Sequence, residues 1–197
     1  MPYIIQVKSK NSNAVMNLPN FLTFFRISLI PLLILINYSA ITYAQYVVAS
    51  IFMLASLTDF LDGFLARKLA QETKVGAFLD PVADKLIVVV ALVLLVQRYS
   101  YNILTICAVI IICREILISA LREWMSEVGV RAKVAVSSVG KAKTFMQMLS
   151  IIILLSQKAS LDSNVVILGL SMLYVSVILT LWSMSLYLIA AWRELQK

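Results

Sequence analysis

Residues 59–85 read DFLDGFLARKLAQETKVGAFLDPVADK, and four of the chain's five aspartates lie in this stretch. Asp59 and Asp62 are three residues apart, and Asp80 and Asp84 are four apart. On an α-helix these spacings put both members of a pair on one face. We expect a short turn to make the two helices antiparallel neighbours, so that all four carboxylates face one another.

Carboxylates held that close repel one another unless they are protonated or bound to cations. The chain has no histidine, and neither cysteine lies near the aspartates in sequence, so the available ligands are hard oxygen atoms. Such ligands favour Mg²⁺ or Mn²⁺, and two of these ions suit displacement at phosphorus. We therefore predict a site for two divalent ions with four ligands: Asp59, Asp62, Asp80 and Asp84. The alternative is a set of interfacial salt bridges to nearby cations: Arg67, Lys68, Lys74 and Lys85.

Small residues and a proline surround the aspartates. Gly63 and Ala66 leave room for a bulky ligand beside the acidic helix face. Pro81 is expected in the first turn of the later helix, and Gly76 in the preceding turn or at a close backbone approach.

The composition outside this stretch is that of a membrane protein. Of 197 residues, 61% are hydrophobic and only 14% are charged, with a mean hydropathy of +0.93. A transmembrane helix needs roughly 20 apolar residues, and windows of about that length recur along the chain. We predict an all-α polytopic membrane protein with six transmembrane helices, in one domain over residues 1–197 that begins with an N-terminal cytoplasmic or interfacial segment, 1–16. The six windows are 21–38, 44–65, 77–97, 103–121, 134–157 and 165–191.

The net charge of +7 is explained by topology, without a nucleic-acid partner. Lysine and arginine concentrate in the N-terminus, alternate connections and the C-terminus, as the positive-inside bias predicts. The opposite connections hold only Arg98 and Lys158. We therefore expect an integral protein of the bacterial inner membrane, with both termini and the active site on the cytoplasmic side.

A second polar group lies on the fourth and fifth predicted helices. Arg114 follows an apolar run within its span, where an arginine is costly unless it faces a wet cavity or an anion. Arg122 is eight residues further along, and Lys141 and Lys143 lie on the next helix. We predict that these four residues bind a phosphate on a substrate, although positive-inside orientation and pairing with glutamates are alternatives.

The acidic stretch resembles the signature of the CDP-alcohol phosphatidyltransferase family, Asp-x2-Asp-Gly-x2-Ala-Arg-x8-Gly-x3-Asp-x3-Asp. Every fixed position of that signature matches, from Asp59 to Asp84. The resemblance implies the CDP-alcohol phosphotransferase fold, in which the first three aspartates hold two metal ions on the CDP diphosphate. Asp84 would be the general base beside the metals, with Asp80 the second catalytic carboxylate. The implied nucleotide-binding residues are Asp59, Asp62, Gly63, Ala66, Arg67, Gly76, Asn20 and Thr23.

Three further stretches are similar to members of this family that use glycerol-3-phosphate as the acceptor. They cover residues 17–26, 114–123 and 140–144. The resemblance implies CDP-diacylglycerol as donor and glycerol-3-phosphate as acceptor, contact with membrane lipids and a homodimer. Arg26 is expected near the nucleotide, with snorkelling by Arg26 and helix capping by Asn20 as alternatives.

Three other functions remain open at this point. The same chemistry with another acceptor, such as phosphatidylglycerol, an inositol phosphate or serine, keeps the acidic site but changes the basic one. A divalent-cation transporter would place the carboxylates near the bilayer midplane along a continuous path. A purely structural membrane protein would tolerate loss of Asp80.

Overall fold

The computed structural model of the protein describes residues 18–69, 74–127, 138–160 and 163–195, with side chains for most of these positions. Within them it contains six α-helices and no strand, which confirms the predicted class and number of elements. Each predicted apolar window agrees with one helix. The helices are α1 Leu18–Asn37, α2 Ala44–Leu69, α3 Lys74–Tyr99, α4 Asn102–Glu127, α5 Ser138–Ser156 and α6 Asn164–Leu195. The segment 1–16 lies outside the described residues.

Among the described residues, three helices are long and apolar enough to cross a membrane: Asn20–Asn37, Asn102–Met125 and Asn164–Ile189. Two others contribute shorter apolar runs, Ala44–Asp59 in α2 and Lys143–Ser156 in α5. The structure thus gives an all-helical protein with three candidate membrane spans.

The helices pack so that α1 contacts α2 and α3, α5 lies against α2 and α6, and α4 lies against α3 and α6. Large side chains without exposed surface fill the centre, among them Leu33, Phe52, Leu92 and Leu154. Other large apolar side chains point outward. Such a surface favours lipid contact over water. The most exposed of these are Leu35, Phe145, Ile178 and Trp182.

One end of the bundle is closed by Arg98, in the last turn of α3. Its Nη2 donates to Asn37 Oδ1 at 2.6 Å, at the end of α1. Its Nη1 donates to the carbonyl oxygens of Leu155 at 2.6 Å and Gln157 at 3.3 Å, at the end of α5. The last carbonyls of a helix have no helical donor, so the guanidinium satisfies carbonyl groups at the end of α5 and joins them to the Asn37 side chain of α1.

The prediction that Pro81 lies in the first turn of α3 is wrong, and so is the prediction that Gly76 lies in the turn before it, whereas its alternative, a close backbone approach at Gly76, stays a prediction. α3 begins at Lys74, so both residues lie inside the helix, and Gly76 is buried. Proline has no N–H to donate to the carbonyl one turn earlier, and Pro81 is the eighth residue of α3, so the helix lacks one backbone hydrogen bond at this point. The preference of proline for a first turn therefore did not locate the start of this helix.

A close helix contact stabilises the α5–α6 pair. Ser150 Oγ donates to the Gly169 carbonyl oxygen at 2.8 Å. A Cβ atom at Gly169 would lie 3.0 Å from Cγ and Cδ2 of Leu154 and 3.1 Å from Cγ2 of Ile153. Small residues allow the backbones of membrane helices to approach in this way.

Replacing Gly169 with leucine is expected to lower the free energy of unfolding by about 1–3 kcal/mol, because the added side chain overpacks this contact. Thermal unfolding in detergent measures the effect. Ser171→Leu is the matched control, since Ser171 lies on the same helix but is exposed. Equal melting temperatures for the two variants would contradict the close contact.

Candidate active site

A buried arginine is the centre of the acidic site. Asn20, Thr23 and Arg26 recur every three residues on α1, and all three are buried, with no exposed surface on Arg26. Arg26 Nη1 lies 3.1 Å from Asp59 Oδ1 on α2. The same nitrogen donates to Asp84 Oδ1 on α3. One guanidinium nitrogen thus bridges carboxylates from two other helices.

The third described aspartate binds to the same face of α1 through a hydroxyl group. Thr23 Oγ1 donates to Asp80 Oδ1. Asp59, Asp80 and Asp84 therefore gather at α1, as the motif spacing predicted for a single cluster. The side chain of Asp62 lies outside the described residues, although its backbone belongs to α2.

The two sides of the ion-pair cluster differ in exposure. The side chains of Asp59 and Asp84 are 41% and 40% exposed, whereas that of Arg26 is 0% exposed. A ligand from outside the bundle can therefore reach the carboxylates but not the guanidinium. This geometry gives an open acidic surface over a buried positive charge.

Several sequence interpretations of these residues are wrong. Arg26 does not snorkel to the surface because it is wholly buried. Asn20 does not cap α1, since the helix already begins at Leu18. Lys85 forms no salt bridge with Asp59, Asp80 or Asp84, the three aspartates whose side chains the structure describes. Its Nζ donates to Ser119 Oγ at 2.6 Å.

Arg26 is the site residue whose role sequence reasoning missed. Asp59 and Asp84 do pair with a cation, and that cation comes from α1. The side chains of Arg67, Lys68 and Lys74 lie outside the described residues. The argument applied to Arg114, that an arginine within an apolar run needs an anionic partner, applies equally to Arg26.

The remaining predicted nucleotide residues are only partly described. The side chains of Gly63, Ala66 and Arg67 lie outside the described residues, at the end of α2. Within the described part of the chain, no three acidic, histidine or cysteine side chains form a group suited to a metal ion. Arg26 Nη1 is the cation that the structure places between Asp59 and Asp84.

The predicted basic cluster forms around a glutamate. Glu115 Oε1 accepts from Arg114 Nη1 at 2.6 Å and from Lys143 Nζ at 3.3 Å. Arg114 Nη2 also donates to Ser183 Oγ on α6 at 3.2 Å. Lys143 is 3% exposed, so its ammonium group is inside the bundle. Two of the four predicted residues therefore meet, from α4 and α5, on one carboxylate oxygen.

The other two predicted basic residues do not take part in that contact. Arg122 is exposed, and its guanidinium lies over the ring of Tyr187 at 5.4 Å from the centroid. It is still near enough to act electrostatically on Lys143. The side chain of Lys141 lies outside the described residues.

Lys85 and Ser119 connect the acidic and basic clusters. Lys85 follows Asp84 on α3, and Ser119 lies one turn after Glu115 on α4. Their 2.6 Å hydrogen bond holds the two helix segments together. The acidic surface thus lies beside the cluster of Arg114, Lys143 and Glu115, which forms the basic pocket, at the end of the bundle opposite Arg98.

Such a pair of sites fits the sequence signature, and comparison with known proteins decides the family. The sequence model described as CDP-alcohol phosphatidyltransferase matches residues 16–182. The chain belongs to the CDP-alcohol phosphatidyltransferase family. The matched region contains both clusters.

Similar bacterial proteins from this family carry a more specific name. A protein of Yersinia pestis (strain Pestoides F) is 50% identical over 180 residues, which cover 91% of this chain and 97% of that protein. Proteins of Yersinia enterocolitica and Sodalis glossinidius are each 48% identical with the same coverage. All three are named CDP-diacylglycerol--glycerol-3-phosphate 3-phosphatidyltransferase.

The carboxylates of the ion-pair cluster are exposed and its guanidinium is buried, and this difference predicts which variants lose more free energy of unfolding. Arg26→Met is expected to lower the free energy of unfolding by only about 1–3 kcal/mol, because water partly solvates the carboxylates that lose their partner. The double change Asp59→Asn and Asp84→Asn is expected to lower the free energy of unfolding by more, about 3–5 kcal/mol, because it removes two of the charges that neutralise the buried guanidinium. Chemical unfolding in detergent measures both values.

Asp80→Asn is the control for these variants, since Asp80 accepts from a neutral hydroxyl group. It is expected to cost about 0.5–1.5 kcal/mol. A larger loss for Arg26→Met than for the double variant would contradict the buried-charge argument.

Proposed function

We propose that this chain transfers the phosphatidyl group of CDP-diacylglycerol to glycerol-3-phosphate, giving phosphatidylglycerophosphate and CMP. The observation that carries this proposal is the convergence of the signature aspartates Asp59, Asp80 and Asp84 on one buried face of α1, beside a basic pocket. The shared name of relatives at 48–50% identity supports the same donor and acceptor.

The reaction breaks a phosphoanhydride bond and forms a phosphoester bond. The acceptor hydroxyl oxygen attacks the lipid-side phosphorus of the diphosphate, the bond from that phosphorus to the CMP oxygen breaks, and CMP leaves. Asp84 accepts the hydroxyl proton. Its carboxylate is partly exposed, so an acceptor can reach it. Because Asp84 also contacts Arg26, protonation weakens that ion pair, and Arg26 keeps Asp59 as its second partner.

We further propose that the aspartates bind two divalent ions, Mg²⁺ or Mn²⁺. The donor chemistry fits, because the carboxylates are hard oxygen ligands on a chain without histidine. When bound, the ions would neutralise the diphosphate and make the acceptor hydroxyl more acidic. Arg26 already supplies a positive charge to Asp59 and Asp84, so it competes with a metal ion for these oxygens.

The basic pocket is proposed to bind the phosphate of the acceptor. Arg114 and Lys143 are cations from different helices that meet at one point, and charged donors of this kind suit a phosphate group. The Lys85–Ser119 contact keeps this pocket next to Asp84, which is where the acceptor hydroxyl must arrive.

The proposed setting is a membrane bilayer crossed by all six helices, with the two clusters and both termini on the cytoplasmic side. Outward-facing apolar side chains on α1, α5 and α6 support contact with lipid. A location in the bacterial inner membrane and a homodimer remain predictions from the family resemblance.

Purified protein is expected to release CMP from CDP-diacylglycerol only when glycerol-3-phosphate and a divalent ion are present. Asp80→Asn and Asp84→Asn are each expected to reduce the rate about 10²–10⁴-fold, since each removes a carboxylate from the reaction centre. A chelator should abolish activity, and Mg²⁺ or Mn²⁺ should restore it. Glu123→Gln on exposed α4 surface is the control.

Other outcomes of this assay would identify the rival functions. Faster CMP release with phosphatidylglycerol, inositol phosphate or serine would replace glycerol-3-phosphate as the acceptor. Metal uptake into liposomes without CMP release would indicate a transporter. Full activity of Asp80→Asn would overturn the proposed site.

The basic pocket can be tested separately from the chemistry. Arg114→Gln is expected to raise KM for glycerol-3-phosphate by about 10-fold or more, because it removes a charged donor to the phosphate. KM for CDP-diacylglycerol should change less than about 2-fold, an effect below 0.5 kcal/mol. Steady-state kinetics with each substrate varied in turn gives both constants. Equal increases in both would show that Arg114 does not act on the acceptor.

A further inference from the structure

Glu115 places its carboxylate between the two cations Arg114 and Lys143. A single oxygen, Oε1, accepts from Arg114 Nη1 at 2.6 Å and from Lys143 Nζ at 3.3 Å. Two cations from different helices therefore share one carboxylate oxygen. A phosphate oxygen forms the same kind of charged hydrogen bonds with the same donors.

The pocket needs an anion when no ligand is bound. Lys143 is 3% exposed, and a buried ammonium group is costly unless it is paired. Arg114 and Arg122 both act on Lys143 as like charges, which raises that cost. Glu115 supplies the opposing charge.

Glu115 is also free to leave this position. Its side chain is 31% exposed, in contrast to the buried Lys143 with which it pairs. Its contacts come from the ends of two long side chains, and a rotation of its own side chain breaks both. An incoming phosphate can therefore replace the carboxylate without a change in the helices.

We propose that Glu115 is an internal placeholder for the acceptor phosphate, an inference that rests on the proposed function. In the free protein its carboxylate holds Arg114 and Lys143 together, and a bound phosphate displaces it. An uncharged alcohol cannot displace it, because nothing then neutralises the two cations. Glu115 thus sets specificity for a phosphorylated acceptor and lowers the affinity for it.

The test uses Glu115→Gln, which removes the negative charge and keeps the shape of the side chain. Thermal unfolding is followed while inorganic phosphate, glycerol-3-phosphate or glycerol is added. The variant is expected to melt lower than the wild type without ligand, and phosphate and glycerol-3-phosphate should raise its melting temperature more than they raise that of the wild type. Glycerol should have no effect on either protein.

Kinetics provides the second measurement. KM for glycerol-3-phosphate is expected to fall at least about 3-fold in Glu115→Gln, because the binding-competent pocket no longer competes with its own carboxylate. KM for CDP-diacylglycerol should be unchanged. Glu123→Gln, an exposed glutamate two turns further on α4, is the matched control and should behave as the wild type.

Two further variants keep the result interpretable. If Glu115→Gln does not fold, Glu115→Asp replaces it, with a shorter reach that predicts smaller shifts in the same directions. Inorganic phosphate is also added to Arg114→Gln, and any increase in melting temperature that comes from the basic pocket should be lost in this variant. A response that survives that change arises elsewhere and overturns the proposal.

The remaining outcomes separate this inference from the proposed function. A higher KM for glycerol-3-phosphate in Glu115→Gln, with no larger response to phosphate, would make Glu115 a permanent positioning residue and overturn the placeholder role alone. Absence of any phosphate response in the wild type, together with no CMP release in the presence of glycerol-3-phosphate, would overturn both.

Discussion

The structure depends on the burial of one positive charge. Arg26 has no exposed surface, and a guanidinium inside an apolar bundle is tolerated only with anionic partners. Asp59 and Asp84 provide those partners from two different helices, so the neutralisation of Arg26 fixes how α1, α2 and α3 meet. Because the carboxylates are the exposed members of this cluster, the same requirement creates an acidic surface that a ligand can approach.

The polar groups of the bundle are sorted between its two ends. At one end Arg98 donates hydrogen bonds to the last turns of α1 and α5 and joins these two helix ends. At the other end the charges are only partly satisfied by each other and remain open to ligands. There, the hydrogen bond between Lys85 and Ser119 joins the helix segment that carries Asp84 to the one that carries Glu115. The apolar middle, centred on residues such as Phe52 and Leu92, keeps the ends apart.

Sequence reasoning predicted the parts of this arrangement that are local in the chain. Runs of apolar residues located all six helices, and the helical spacing of Asp59, Asp80 and Asp84 predicted that they belong to one cluster. It did not predict that Arg26 is their partner. It gave pairing of the basic residues with glutamates only as an alternative, and Glu115 forms that pairing with Arg114 and Lys143. The contacts of Arg26 with Asp84 and of Lys143 with Glu115 join residues 58 and 28 positions apart, and helical periodicity gives the face of each side chain but not the rotation of one helix against another. The start of α3 was missed because the preference of Pro81 for a first turn is weaker than the tendency of the flanking residues to continue the helix.

The central claim is that Arg26 and the carboxylates of α2 and α3 act as one coupled unit. A double-mutant cycle between Arg26→Met and Asp84→Asn, measured by reversible unfolding in detergent, tests it most directly. The account predicts a coupling free energy of about 1–3 kcal/mol, with the double variant less destabilised than the sum of the single changes. Additive effects, within about 0.5 kcal/mol, would contradict it.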